Sequence, residues 1–215
     1  MSHLEDISAL RKHYTKGGLI EGQFSENPFT LFAEWFREAI AMEILEPNAM
    51  VLSTVSVDGK PSSRAVLLKG VEEEGFVFYT NYESRKGKEL IAHPVASLLF
   101  LWTEAERQIR IEGNVQKLPR EISEAYFKSR PRESQLGAWT SKQSTVIDSR
   151  EVLEHEFLAM QERFGDGEIP MPDFWGGFTV MPTSIEFWQG RPSRLHDRIL
   201  FEKQDGAWKS QRLCP

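Results

Sequence analysis

The chain of 215 residues holds a single cysteine, Cys214, which excludes an internal disulfide and suits a reducing, cytoplasmic setting. No apolar run approaches the ~18 residues that a membrane-spanning helix needs. The opening MSHLEDISALRKHYTKGG mixes acids with bases and has no apolar centre, so it does not read as a secretory signal. A formal net charge of -6 speaks against general nucleic-acid binding, because phosphate backbones demand a broad basic surface. Fingerprints of other chemistries are missing too. No GxGxxG follows a strand pattern, and GxxxxGK[ST], HExxH, CxxC and GxSxG do not occur. His3, His13, His93, His155 and His196 lack the paired spacing of metal ligands, so no metal is expected. By elimination, the chemistry falls to a bound organic cofactor.

Hydrophobic residues make up 40% and charged residues 27%, enough to bury one ordinary core. No repeat, low-complexity tract or compositional break marks a domain boundary. Phe29, Phe32, Phe36, Ile40 and Ile44 recur at helical spacing behind Pro28. Strands are expected at 50–57, 63–70, 76–80, 95–102, 107–117, 178–180, 184–188, 198–202 and 208–213, with hairpin signals at Asp58-Gly59 and Asp205-Gly206. Further helices are expected from Ser84 to about His93, from Pro119 to Ser129 and beyond Ser149, the last with an apolar stripe of Val152, Leu153, Phe157, Met160 and Phe164. Helices do not alternate with strands. The expected class is therefore a β-rich α+β protein, a mainly antiparallel barrel with peripheral helices.

Bases cluster at 62–69, 84–88, 126–132 and 191–198, a pattern suited to small anionic ligands, although composition alone reads it as ordinary surface charge. On a strand, Arg64, Val66 and Leu68 share one face while Ala65, Leu67 and Lys69 share the other, which aims the two cations apart. Phe78-Tyr79-Thr80-Asn81 leads into Ser84-Arg85-Lys86, where a helix start offers free N–H groups to a phosphate; a merely capped surface helix is the alternative. Tyr126 and Arg130 lie four apart on one helical face, with Ser134 beyond the Pro131 turn, as a second phosphate site or as a basic helix end. Around Trp188, the segment Arg191–Arg198 is the densest constellation. If it is extended, Arg194, His196 and Arg198 point to one side.

The runs SRAVLLK, FYTNYESRKGKEL, RQIRIEG, YFKSRPRESQLGAWTSKQS, FWGGF, FWQGRPSRLHDR and RLCP follow one another in order, and with them the chain resembles the pyridoxine/pyridoxamine 5'-phosphate oxidases. The resemblance extends from about Arg11 to Pro215 without departure at a motif position, and SRPRxSQxGAWxSxQS with WQGxxxRLHDR are its specific parts. It implies an FMN-binding split barrel and a homodimer with FMN at the subunit interface. It implies an FMN site made by Arg64, Ala65, Val66, Leu67, Leu68, Lys69, Tyr79, Thr80, Arg85, Lys86 and Gln108, completed by Gln143, Ser144, Trp188 and Arg198. The substrate phosphate would meet Lys69, Tyr126, Arg130 and Ser134. Arg194, Leu195 and His196 would lie at the pyridine ring, with Arg194 and His196 catalytic, and Arg11 to Tyr14 closing as a lid. Residues 1–20 are thus expected as a mobile N-terminal segment and 21–215 as a single domain. The implied reaction oxidises pyridoxamine or pyridoxine 5'-phosphate to pyridoxal 5'-phosphate with O2 reduced to hydrogen peroxide. A related FMN reductase or oxidase, a carrier of flavin or pyridoxal phosphate, and a nucleic-acid module stand as competing readings.

Overall fold

The computed structural model describes residues 13–72 and 74–215, so Arg11 and Lys12, half of the expected lid, lie outside the described residues. The first helix, α1 (Pro28–Ala41), begins where Asn27 accepts from the amides of Phe29 and Thr30 at 2.8 and 3.3 Å and Pro28 takes a position that needs no N–H donor. It ends short of Ile44 because Glu43 turns to φ 54. The strands are β1 (Ala49–Val55), β2 (Pro61–Leu67), β3 (Gly70–Glu72), β4 (Gly75–Asn81), β5 (Val95–Trp102), β6 (Arg107–Lys117), β7 (Trp175–Gln189), β8 (Asp197–Gln204) and β9 (Ala207–Arg212). The other helices are α2 (Arg85–Ala92), α3 (Arg120–Ser129), α4 (Arg132–Thr140) and α5 (Arg150–Phe164).

The strands are hydrogen-bonded in the order β2-β1-β5-β6-β7-β4-β3, with β8 on β7 and β9 on β8. The β1/β2, β3/β4, β4/β7, β7/β8 and β8/β9 ladders are all antiparallel, as the sequence pattern requires. Burial alternates along β6, where Ile109, Ile111, Gly113 and Val115 point inward between exposed neighbours. The chain gathers into two compact units. One contains the described part of 1–47 with Leu99–Ile111 and Ser184–Pro215; the other contains Asn48–Leu98 and Glu112–Thr183. In the first, α1 lays Phe32 on Phe100 at 5.3 Å and Trp35 on Phe187 at 5.2 Å, and Phe187 meets Phe201 at 5.7 Å. Each such fully buried ring contributes about 2–3 kcal/mol. In the second, Phe78 meets Phe178 at 5.8 Å, and Phe127, Leu136, Ile169, Met171 and Trp175 form a compact cluster.

Both hairpin signals hold, and three other local expectations change. At Asp58-Gly59, β1 and β2 close at Val55 opposite Pro61, with Ser56 and Lys60 bridging a loop longer than two residues. Asp205-Gly206 does make the tight turn, both residues taking the positive φ it needs (50 and 82). The segment after Pro131 is the helix α4, since the proline that stops α3 also suits a helix start. The two expected strands at 178–180 and 184–188 are one strand, β7, running through Pro182. The stripe on α5 is only partly covered; none of its residues is fully buried, although Phe157, Met160 and Phe164 pack on the Phe127 cluster. Among the described residues no helix is long and apolar enough to cross a membrane.

Candidate active site

A cavity of about 900 Å³ opens within the second unit. Its walls come from 62–67 of β2, the end of β4, the first turn of α2, helices α3 and α4, and Trp175 at the start of β7. Most of the residues that the resemblance implied for FMN (Arg64, Ala65, Val66, Leu67, Lys69, Tyr79, Thr80, Arg85, Lys86, Gln143 and Ser144) and those it implied for the substrate phosphate (Lys69 again, Tyr126, Arg130 and Ser134) line this one cavity. Arg64 and Lys69 were expected to point apart. They share the cavity because β2 ends at Leu67; Leu68 turns inward, its N–H bonded to Asn48, and Lys69 bonds instead to Val77 of β4. Leu68 is buried and does not line the cavity.

The polar end is built on the helix start. Ser84 caps α2, accepting from Gly87 N–H at 3.2 Å and donating to the Asn81 carbonyl at 2.7 Å. Gly87 has no room for a side chain, since a Cβ would sit 2.3 Å from the Tyr82 carbonyl oxygen. Lys86 Nζ donates to Gln143 Oε1 at 2.7 Å and Thr80 Oγ1 at 3.2 Å. Burial, and then the Arg64 charge, bring its pKa down to about 8. Beneath these cations lies Glu89, buried at 6% exposure. It accepts from Thr54 Oγ1 at 2.5 Å, Ser62 Oγ at 2.8 Å and Arg85 Nε at 2.9 Å, and Arg64 Nη2 stands 3.5 Å away. Burial pushes the Glu89 carboxyl up, but the bonds from Thr54, Arg85 and Ser62 outweigh it and hold it at about 2. Glu89 was not singled out from the sequence; its only local signal is the Arg85/Glu89 spacing of four on a helix.

The other end is aromatic. Tyr79 and Tyr126 stack at 3.9 Å with planes 13° apart, and Trp175 stacks on Tyr79 at 5.4 Å and 7°. Burial pushes the Tyr79 hydroxyl up to about 12, so it stays a neutral donor. The Arg130 guanidinium sits 4.8 Å over Trp175, and its buried Nη1 has no partner. A half-buried cation with one closed-off, unpartnered donor, lining the cavity with a phenol and a hydroxyl, is suited to an anion.

The remaining expected site residues belong to the first unit. Tyr14 meets Trp188 edge-on at 5.8 Å and His196 at 5.5 Å, and the Trp188 and His196 rings lie 4.6 Å apart. His196 Nδ1 accepts from the Arg191 amide at 3.1 Å, so the neutral ring carries its proton on Nε2. Arg198 donates to buried Glu186 at 2.7 Å and to the Cys214 carbonyl at 3.0 Å. Gln108 lies half-buried on β6, and Leu195 is exposed. The extended path assumed for Arg194, His196 and Arg198 is not taken. A 3-10 turn spans Pro192–Arg194, with Ser193 and Arg194 at φ 58 and 62, so period-two alternation does not apply there.

Comparisons with known proteins point to one family. Residues 36–164 match the family model described as pyridoxamine 5'-phosphate oxidase. Residues 175–215 match the one described as pyridoxine 5'-phosphate oxidase C-terminal dimerisation region. The chain is 54% identical over 209 residues to a pyridoxine/pyridoxamine 5'-phosphate oxidase of Synechocystis sp., covering 97% of this chain and 98% of that one. It is 53% identical over 212 residues to the enzyme of that name from Burkholderia lata 383, covering 97% and 99%. Among solved structures it resembles PhzG from Burkholderia lata 383, crystallised with tetrahydrophenazine-1-carboxylic acid, at TM-score 0.84 and 30% identity, covering 89% of this chain and 94% of that one. A pyridoxamine 5'-phosphate oxidase-related, FMN binding protein from Nostoc punctiforme shares the fold at TM-score 0.67 and 18% identity, covering 84% and 97%. The fold is the split barrel expected from the sequence, and the chain belongs to the pyridoxamine 5'-phosphate oxidase family.

Proposed function

We propose that the protein is an FMN-dependent oxidase that converts pyridoxamine or pyridoxine 5'-phosphate to pyridoxal 5'-phosphate. The observation that carries this reading is the pairing of two anion-binding sets in one cavity, the second centred on the unpartnered Arg130 Nη1. A flavin mononucleotide brings one phosphate, and a phosphorylated substrate brings the other.

The donor set fits FMN: Arg64, Arg85, Lys86 and the capped start of α2 supply cations and N–H groups for its phosphate, with Gln143 and Ser144 beside them. Ala65 to Lys69, Tyr79, Thr80, Gln108, Trp188 and Arg198 complete the proposed FMN site, some from a second subunit. Bound FMN would supply the redox chemistry, accepting a hydride equivalent from the substrate carbon and passing the electrons to O2 as hydrogen peroxide, with water releasing ammonia in the case of the amine substrate. The protein's own part is position and charge. Arg130, Tyr126, Ser134 and Lys69 clamp the substrate phosphate and so fix the reacting carbon. Arg194, Leu195 and His196 orient the pyridine ring, and His196, with Nδ1 held by Arg191, offers its Nε2 proton. Tyr14, and Arg11 outside the described residues, complete the proposed substrate site. A homodimer is supported by the match of 175–215 to a dimerisation region, and a reducing cytoplasm would suit the single cysteine.

A second reading, action on an unphosphorylated tricyclic substrate, is raised by the likeness to PhzG. Against it, the identity to the Burkholderia lata oxidase is 53%, whereas that to PhzG from the same strain is 30%. The test is an absorption spectrum of the FMN-loaded protein followed by pyridoxamine 5'-phosphate in the absence of oxygen. Bleaching that reverses in air is expected. A flavin that stays oxidised sinks the substrate assignment, and failure to bind FMN sinks the cofactor assignment.

A further inference from the structure

Trp175 opens β7 opposite Asn81 of β4 and is nearly closed off, at 7% exposure. Its indole is the shared platform of three groups that line the cavity. Tyr79 lies 5.4 Å from it and Tyr126 6.3 Å, with planes within 7° and 6° of parallel, and the Arg130 guanidinium lies 4.8 Å over the ring. Phe127 supplies a second aromatic face 5.5 Å from the same guanidinium. Burial holds the Arg130 pKa below its ordinary value, and the charge near it is the Tyr126 phenol rather than a carboxylate. Its Nη1 is left without a partner.

A half-buried guanidinium with a closed-off donor needs compensation. A carboxylate would compensate it fully, but would also occupy the N–H fork and cancel the charge that an incoming phosphate must meet. An aromatic face attracts the cation through its quadrupole and takes none of its in-plane donors. The ring therefore keeps Arg130 charged, fixed and open.

We infer that Trp175 is a specificity-determining positioning residue: its indole holds Arg130 unpaired for the substrate phosphate, and so sets the preference for phosphorylated over unphosphorylated pyridines. This rests on the function proposed above.

The test is direct binding of pyridoxal 5'-phosphate and of pyridoxal to the FMN-loaded protein, followed by the change in flavin absorption. The wild type, Trp175→Leu, Trp175→Phe, Arg130→Ala and the Arg130→Ala/Trp175→Leu double variant are compared. In Trp175→Leu, affinity for pyridoxal 5'-phosphate is expected to fall about tenfold, while affinity for pyridoxal stays within about twofold. Trp175→Phe, which keeps a smaller aromatic face, should lose about two- to threefold for pyridoxal 5'-phosphate alone. In the Arg130→Ala background the leucine substitution should cost almost nothing further, because the two residues act as a unit. Equal losses for both ligands, or a full additional loss in the double variant, overturn the inference. If Trp175→Leu fails to fold or to hold FMN, Trp175→Phe decides alone: a selective loss of two- to threefold supports the inference, and unchanged binding or an equal loss for both ligands overturns it. A wild type that binds the two ligands equally well would defeat the proposed function itself, separately from the role of Trp175.

Discussion

Lys86 shows how a single side chain is tuned by its surroundings. With its pKa held at about 8, it is protonated at neutral pH and loses its charge as pH rises through that value. Only the protonated form attracts a phosphate, whose second ionisation lies near ~6. FMN affinity is therefore expected to be flat from about pH 6.5 to 7.5 and to fall above about pH 8, by up to about tenfold per unit, in a fluorescence-quenching titration. In Lys86→Met that fall should disappear and affinity at pH 7 drop by about 10- to 100-fold, as for the loss of a charge-assisted bond. A pH-independent wild type would remove Lys86 from the phosphate site. At the pyridine end, Arg194→Ala and His196→Ala should lower turnover while leaving a folded, yellow protein; unchanged rates in both would end their assignment.

At the scale of elements, Glu89 ties α2 to β1 and β2 through Arg85, Thr54 and Ser62. Its carboxyl titrates near 2 when folded and near 4.5 when not, so its contribution is complete above about pH 4.5 and is lost as pH falls toward 2. Glu89→Ala leaves Arg64, itself largely buried, without its carboxylate and should cost about 3 kcal/mol, read as a lower midpoint in urea at pH 7. A variant with the wild-type midpoint would show that the network contributes nothing. In the first unit, buried Glu106 accepts from the amides of Thr15 and Lys16 at 2.9 and 3.0 Å, and Asp197 accepts from the Leu19 amide at 3.0 Å. These bonds seat the segment that carries Tyr14. Glu106→Ala should expose Lys16 to trypsin several times faster and raise KM more than it lowers kcat; protection equal to wild type would sink that tether.

For the whole molecule, the expected homodimer should appear in light scattering as twice the 24.7 kDa of one chain. If FMN is held between subunits, dilution below the dimer dissociation constant should release it. A monomeric protein that still holds FMN tightly would contradict both expectations.

Periodicity and punctuation made α1, α2, β5 and β6 legible, because each depends on its own neighbours: Asn27 and Ser84 cap, Pro94 stops α2, and inward and outward residues alternate. The motif residues of the cavity were legible for the same reason, as short runs with a recognisable order. Helix α4 and the fusion of two short strands into β7 were not, because Pro131 and Pro182 read locally as breaks, while one starts a helix and the other is carried within a long strand. Nor could the sequence show that Arg64 and Lys69 face one cavity, since that follows from where β2 ends and Lys69 joins β4. Glu89 and Trp175 act on residues distant in the chain: Thr54 lies 35 positions from Glu89, and Arg130 reaches Trp175 only in the folded protein. The sequence by itself determined the family, the antiparallel class and two candidate anion-binding sets. Only the tertiary structure decided that these sets share one cavity and which buried groups hold their cations in place, because burial and through-space contact are properties of the packed chain and not of neighbours along it.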